Sequence, residues 1–249
     1  MSSTNHSTHP VGEFDDVLIT AELARRPFRA PDCAAESRAL GMLAQEMATN
    51  PAGVLQKCAE LALELCQAES AGVSILELGG ENGLFRWQAA AGAVAAHLHG
   101  TAPRPASPCG MVIAHDSVLL FKEAERVFPS TRDLKPRIHE SLITPWHVNG
   151  EAAGTLWAMK HTPDGHFDAE DARLLQSLAW FAAAAHQTTG AVKSARTDET
   201  ARRETLEADP AGMRRLHELH ARLATETDLK VALDGILTAA CAFTATDRG

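Results

Sequence analysis

The sequence predicts an α+β fold built on antiparallel strands, and three observations predict it. Apolar residues recur at helical spacing in segments on both sides of a central region. Within that region the period becomes extended, with strand-like runs separated by turn residues. One pair of runs flanks Asn149-Gly150, the preferred centre of a tight hairpin turn, so these neighbours run antiparallel.

Each element follows in chain order. Residues 1–24 are polar and read as a flexible tail. From Ala34 to Thr49, the apolar Leu40, Leu43 and Met47 mark a first helix. Asn50-Pro51 restarts the chain, with Asn50 as a cap and Pro51 at the first helical position. The helix that follows carries Val54, Leu55, Cys58, Leu61, Leu65 and Ala68 on one broad face. After Gly72, VSILEL (73–78) and LFRWQAAAG (84–92) are extended and joined by a Gly-rich turn over 79–83. Residues 93–137 read as a long irregular insertion, rich in Pro, His and Ala, holding one short strand, VLLFK (118–122).

ESLITPWHV (140–148) and EAAGTLWAMKH (151–161) form the Asn-Gly hairpin. In its second arm Leu156 and Ala158 alternate with Thr155, Trp157 and Met159, so both faces are covered, as in a central strand. Asp168 caps the next helix, with Glu170 and Asp171 in its first turn. Leu174, Leu175, Leu178, Phe181, Ala182 and Ala185 lie at core spacing along it. Residues 191–215 continue as a helical linker.

Composition narrows the class. Hydrophobic residues at 45% and charged residues at 22% allow a buried core. A formal charge of −9 repels phosphate backbones and anionic lipid, which argues against nucleic acid as a partner. Five cysteines (Cys33, Cys58, Cys66, Cys109 and Cys241) form no CxxC pair and are too sparse for a disulfide scaffold, which fits a reducing cytoplasm. The longest small and apolar run, Leu178–Ala185, is far short of the about 20 residues a membrane span needs.

The end of the chain repeats its beginning. Met47-Ala48-Thr49 corresponds to Leu223-Ala224-Thr225, and Ala62, Ala68 and Gly72 recur as Ala239, Ala245 and Gly249. The expectation is a second domain over 216–249, cut where its first strand begins.

LCQAESAGVSILE, SPCGMVI, GEAAGTLWAMKH and FDAEDARLLQSLA, in this order of elements, resemble the GAF domains that precede kinase modules in bacterial sensor histidine kinases. The resemblance covers about Arg38 to Gln187, within an expected domain over 25–190, and LHELHARLATETDLKVALDGILTAACAFTATDRG resembles the opening of another. It implies an antiparallel sheet of about six strands, terminal helices on one face, a loop-covered ligand pocket on the other, and dimerisation through the helices. GAF domains bind cyclic nucleotides, bilins, haem, small metabolites or nothing, so fold leaves the ligand open.

The candidate pocket residues are Pro108, Cys109, Met111, His115, Trp87, Trp146 and Trp157. Cys109, in RPASPCGMVI, is read as a pocket-lining turn residue, with a bilin attachment point or a reactive thiol as alternatives. It lacks the following His of cyanobacterial photoreceptors, and a thiolate needs a partner that lowers its pKa. Cys58 and Cys66 lie on the apolar helix and read as packed. His97, His99, His115, His139 and His147 crowd the insertion and the strand after it, with no diagnostic metal spacing, so no metal and no haem is expected. His217-Glu218-Leu219-His220 misses the zinc spacing by one residue. It resembles a phosphoacceptor box but lacks the proline that follows, so no kinase activity is expected within this chain. The Trp residues read as core, with one or two flooring a pocket. Arg86 should face away from Trp87. Leu178, Ala182 and Ala185 are the expected homodimer face.

The function expected is a non-catalytic, cytoplasmic sensory module. It would bind a small ligand or mediate dimerisation, and relay a shift through its terminal helices to a downstream kinase or other output domain. The rival expectations are a thiol enzyme of the methionine sulfoxide reductase kind and a chromophore- or haem-binding photoreceptor or gas sensor.

Overall fold

In a computed structural model of the chain, residues 14, 16–78, 83–207, 214, 217, 218 and 221 are described. The first part of the expected tail, most of the 79–83 turn and nearly all of the 216–249 repeat lie outside them. Contacts divide the chain into two compact units, Met1–Gly190 and Ala191–Gly249.

The helices are α1 (Glu22–Arg25), α2 (Cys33–Thr49), α3 (Val54–Leu65), α4 (Pro108–His115) and α5 (Ala169–Glu207). The strands are β1 (Ser70–Glu77), β2 (Leu84–Gly92), β3 (Thr101–Pro103), β4 (Leu119–Lys122), β5 (Glu140–Val148) and β6 (Glu151–Lys160). They form one antiparallel sheet in the order β3-β2-β1-β6-β5-β4. The long strands and outer helices fall where the periodicity places them. Within the 93–137 insertion the structure adds β3, α4 and single turns of 3-10 helix, elements too short to carry a period.

Strand alternation gives the sheet two buried faces. One presents Ala71, Val73, Leu142, Trp146, Leu156 and Ala158 to α3 and α5, whose Leu61, Ala62, Leu175, Leu178 and Ala182 complete that core. The other presents Phe85, Trp87, Ile143, Trp157 and Met159 to α4 and the insertion. Each central tryptophan is accommodated by a glycine on the neighbouring strand. Trp157 pairs with Gly72 and Trp146 with Gly154. A Cβ at either glycine would collide with the indole and with backbone.

The expected tail ends earlier than residue 24. Val17 is fully buried. Its carbonyl accepts from Lys122 N at 2.8 Å, and Ile19 N donates to Leu120 O at 2.9 Å. The segment therefore covers the free edge of β4, a common protection for an exposed strand edge. Asn50 does not cap the helix after it: its side chain turns back to Glu46 Oε1 at 2.7 Å.

α5 is capped as expected, and reciprocally. Asp171 N donates to Asp168 Oδ1, and Asp168 N to Asp171 Oδ2, both at 2.9 Å. Arg29 joins this cap, its backbone N on Asp168 and its guanidinium 2.6 Å from Asp171 Oδ1. Close by, Glu140 has a fully buried side chain. Arg26 grips it bidentately at 2.9 and 2.8 Å, Phe167 N donates at 3.1 Å, and His166 Nδ1 lies 2.8 Å away. Burial pushes the Glu140 carboxyl up, but Arg26, His166 and Phe167 N together hold it below the usual carboxylate range.

Removing Arg26 leaves that carboxylate buried without its counter-ion. Arg26→Ala should cost about 3–5 kcal/mol in urea unfolding at about pH 7. With the guanidinium gone, the Glu140 carboxyl loses its strongest stabilising partner against burial and its folded-state pKa rises, so the penalty should shrink towards about pH 4, where Glu140 takes up a proton. An equal cost at both pH values would exclude this account.

Candidate functional site

A cavity lies between the insertion and the sheet face that carries Trp87 and Trp157. Its floor is Trp87, Trp157, Met159, Ile143 and Ser141; its cover includes Ser107, Pro108, Cys109, Ser130, Thr131 and Leu134. Its volume is about 30 Å³, room for about one water molecule. The two indoles meet at 4.6 Å between centroids, tilted by 46°, within the range of favourable aromatic contact. Trp157 Nε1 donates to Ser74 Oγ at 3.0 Å, which fixes its ring. His97 packs edge-on to Trp87 at 6.5 Å.

The RPASPCG segment builds the cover. Ser107 caps α4, its Oγ accepting from Gly110 N at 3.2 Å, and Pro108 occupies the first turn. Gly110 has no room for a Cβ, which would strike the Arg104 carbonyl. Cys109 thus sits in the first turn of a helix, where the sequence suggested an irregular turn. It is 8% exposed, and burial pushes its thiol up to about 11, although the Thr155 and Ser74 hydroxyls favour the thiolate slightly. Near neutral pH it is a protonated thiol.

Four hydroxyls line the cavity, and three have partners. Ser107 is engaged in the α4 cap, Ser130 Oγ donates to Ala106 O at 3.0 Å, and Thr131 Oγ1 donates to Phe128 O at 2.9 Å. Ser141 Oγ is buried and, among the described residues, has no hydrogen-bond partner. A buried hydroxyl left unpaired is costly, so this group marks where a polar atom of an occupant belongs. Sequence reasoning missed Ser141; its only signal is a small polar residue placed next to Leu142 in a strand with two covered faces.

The sequence candidates divide. Trp87, Trp157, Pro108 and Cys109 line the cavity together. Met111 packs part-buried against the same core without lining the cavity. His115 is exposed at the end of α4. Trp146 belongs to the opposite core, its ring 5.2 Å from that of His186. Arg86 points away from Trp87, as expected, and bonds Glu77 at 2.7 and 3.0 Å. Cys58 and Cys66 are fully buried on the helix side of the sheet, and burial raises both thiols, Cys58 to about 12.

The expected dimer face is a correction. Leu178, Ala182 and Ala185 are at most 1% exposed inside the first unit, where they pack against its own sheet-side core. An apolar stripe on a helix serves the nearest core first, and this one is fully used there. The outward face of α5 carries Trp180 instead, 78% exposed.

The family model for the GAF domain matches residues 50–186, more than half of the chain.

This chain belongs to the GAF family.

GAF domains are typically regulatory or sensory modules of signalling proteins, and the curled six-strand sheet with helices on one side is their fold. A GAF domain of a phosphoenolpyruvate-protein phosphotransferase from Coxiella burnetii has a TM-score of 0.53 at 18% identity, covering 65% of this chain and 99% of that one. A free methionine-R-sulfoxide reductase from Neisseria meningitidis, solved with its substrate, gives 0.53 at 18% identity, with 67% and 97% covered. The GAF domain of an Acinetobacter phosphoenolpyruvate-protein phosphotransferase gives 0.50 at 13%, with 64% and 97% covered. At these identities the likeness is one of fold. No curated protein matches the chain. No described helix of this GAF domain is long and apolar enough to cross a membrane.

Two outcomes follow for the GAF domain. Brief iodoacetamide treatment near neutral pH should alkylate the exposed Cys33 and leave Cys109 unmodified until the protein is unfolded, as read by peptide mass. Labelling of Cys109 at the rate of Cys33 would refute its closed, protonated state. Ala182→Glu with Ala185→Glu buries two unpaired charges and should abolish cooperative unfolding in circular dichroism; a stably folded double variant would contradict the core assignment.

Proposed function

We propose that this GAF domain is a non-catalytic sensory module whose signal is a small, mostly apolar molecule with one hydrogen-bonding group. The observation that carries the proposal is the Ser141 hydroxyl, unpartnered in a cavity floored by two tryptophans. Such sites are mostly apolar, with few polar groups that fix orientation. The ligand lies over Trp87 and Trp157 and takes the Ser141 hydroxyl as its polar contact. Its entry displaces the α4 cover, and the displacement favours one of two arrangements of the sheet and helices. Differential affinity for those two states, not tightness alone, does the signalling.

The output is relayed through the terminal helices to a histidine kinase or similar module in a bacterial two-component protein of the cytoplasm. The repeat over 216–249 supports a second GAF domain along that path. Pairing of two copies through their terminal helices belongs to the same proposal, with the pairing face moved away from Leu178, Ala182 and Ala185.

The rival is a thiol enzyme, in keeping with the Neisseria reductase. Three features weigh against it. Cys109 is buried, its pKa is raised to about 11, and the other described buried thiols lie on the far side of the sheet.

The chain isolated from its native host should show an added small mass by native mass spectrometry and no visible absorption band. Ser141→Val should lose the added mass while keeping the wild-type unfolding midpoint to within a few degrees. Cys109→Ser should keep the mass, and the wild type should consume no reductant when given methionine sulfoxide. Absence of any bound mass would defeat the ligand proposal and leave a structural domain; reductant consumption abolished by Cys109→Ser would establish the enzyme.

A further inference from the structure

A second constellation lies apart from the cavity, where the insertion ends and α5 begins. His139 immediately precedes β5, Glu140 is its first residue, and His166 stands in the loop before α5. One ligand atom from each lies within 4.8 Å of the other two. His166 Nδ1 is 2.8 Å from Glu140 Oε1, and the two imidazole ring centroids lie 6.0 Å apart with their planes tilted by 52°. Among the described residues, neither ring nitrogen of His139 has a hydrogen-bond partner. Its backbone bonds Lys160 O and Glu123 N, and its ring lies beside that of His166.

We propose that His139, Glu140 and His166 form a binding site for a divalent transition metal, with zinc as the fitting ion. Two imidazoles and one carboxylate are a recurrent zinc donor set that leaves a fourth position for water. Imidazole nitrogen also selects zinc, copper or nickel over magnesium or calcium. Bonds of about 2.0–2.2 Å place tetrahedral ligand atoms about 3.3 Å apart. The site therefore contracts by about 1.5 Å at most, and the contraction falls on side chains free to turn. His166 is half exposed and His139 is partly exposed.

The buried carboxylate is already supported for this role. Oε2 accepts from Arg26 Nη1 and Phe167 N and keeps those bonds. Oε1 is shared by Arg26 Nη2 and His166, and it turns to the metal as His166 becomes a ligand. An outer partner that fixes a ligating carboxylate is the usual second layer of a metal site. Arg26 also neutralises the carboxylate, so the site has no net negative charge and the expected affinity is micromolar, suited to a regulatory rather than a permanent ion. A bound metal would join the start of β5 to the loop that leads into α5.

Zinc chloride titrated into the full chain by isothermal calorimetry at neutral pH should show one equivalent bound with micromolar affinity. His139→Ala and His166→Ala should each weaken that event at least tenfold, and both variants should fold, since neither side chain belongs to a core. His115→Ala, an exposed histidine outside the cluster, should bind as the wild type does. Absence of a one-equivalent event, or its survival in the double His139→Ala, His166→Ala variant, overturns the site.

Discussion

The fold is organised around a carboxylate that has left water. Glu140 lies at the first residue of β5, fully buried, and its two oxygens take four contacts: two from Arg26, one from Phe167 N and one from His166. The contacts come from two separate parts of the chain. Arg26 follows α1, and the other two precede α5. A buried ion pair adds little net stability against an apolar substitute, but it is demanding about geometry. Arg26 can make both bonds only when the N-terminal segment, β5 and the approach to α5 are all in register. The adjacent Arg29–Asp168–Asp171 cluster repeats the arrangement one step further into α5. The entry of the long helix is thus fixed by charge, while its body is held by apolar packing.

Much of this architecture was legible in the sequence, because long elements write their period plainly. The Asn149-Gly150 hairpin, the strand over 73–77, which in the structure begins already at Ser70, and the Asp168 cap all depend on local chemistry. The insertion was not legible. β3 and α4 are short; β3 depends on its pairing with β2, and α4 on the core that it covers. Trp146 shows how a single irregularity misleads. In a regular hairpin through Asn149-Gly150, Trp146 would oppose Ala153 and share the face of Trp157. The register shift between Trp146 and His147 moves its partner to Gly154, which sends the indole to the helix side. The α5 stripe misled for another reason: spacing shows that Leu178, Ala182 and Ala185 share a face, but not which surface that face meets.

The candidate site was legible in part. Cys109 and the two tryptophans announced themselves through residue type, yet the informative group is Ser141, an ordinary serine in a strand. What marks it is the absence of a partner, and satisfaction of hydrogen bonds is a property of three-dimensional neighbours. The His139–Glu140–His166 cluster was hidden in the same way, since 26 residues of sequence separate Glu140 from His166 and no spacing rule links them.

The placement of the aromatic residues has a practical consequence. The chain has four tryptophans and no tyrosine, so its near-ultraviolet emission comes from indoles alone. Trp87 and Trp157 are in contact with each other, Trp146 lies beside an imidazole beneath α5, and Trp180 stands in solvent. The domain therefore carries intrinsic optical probes at the cavity, in the opposite core and on its surface, each in a different polarity.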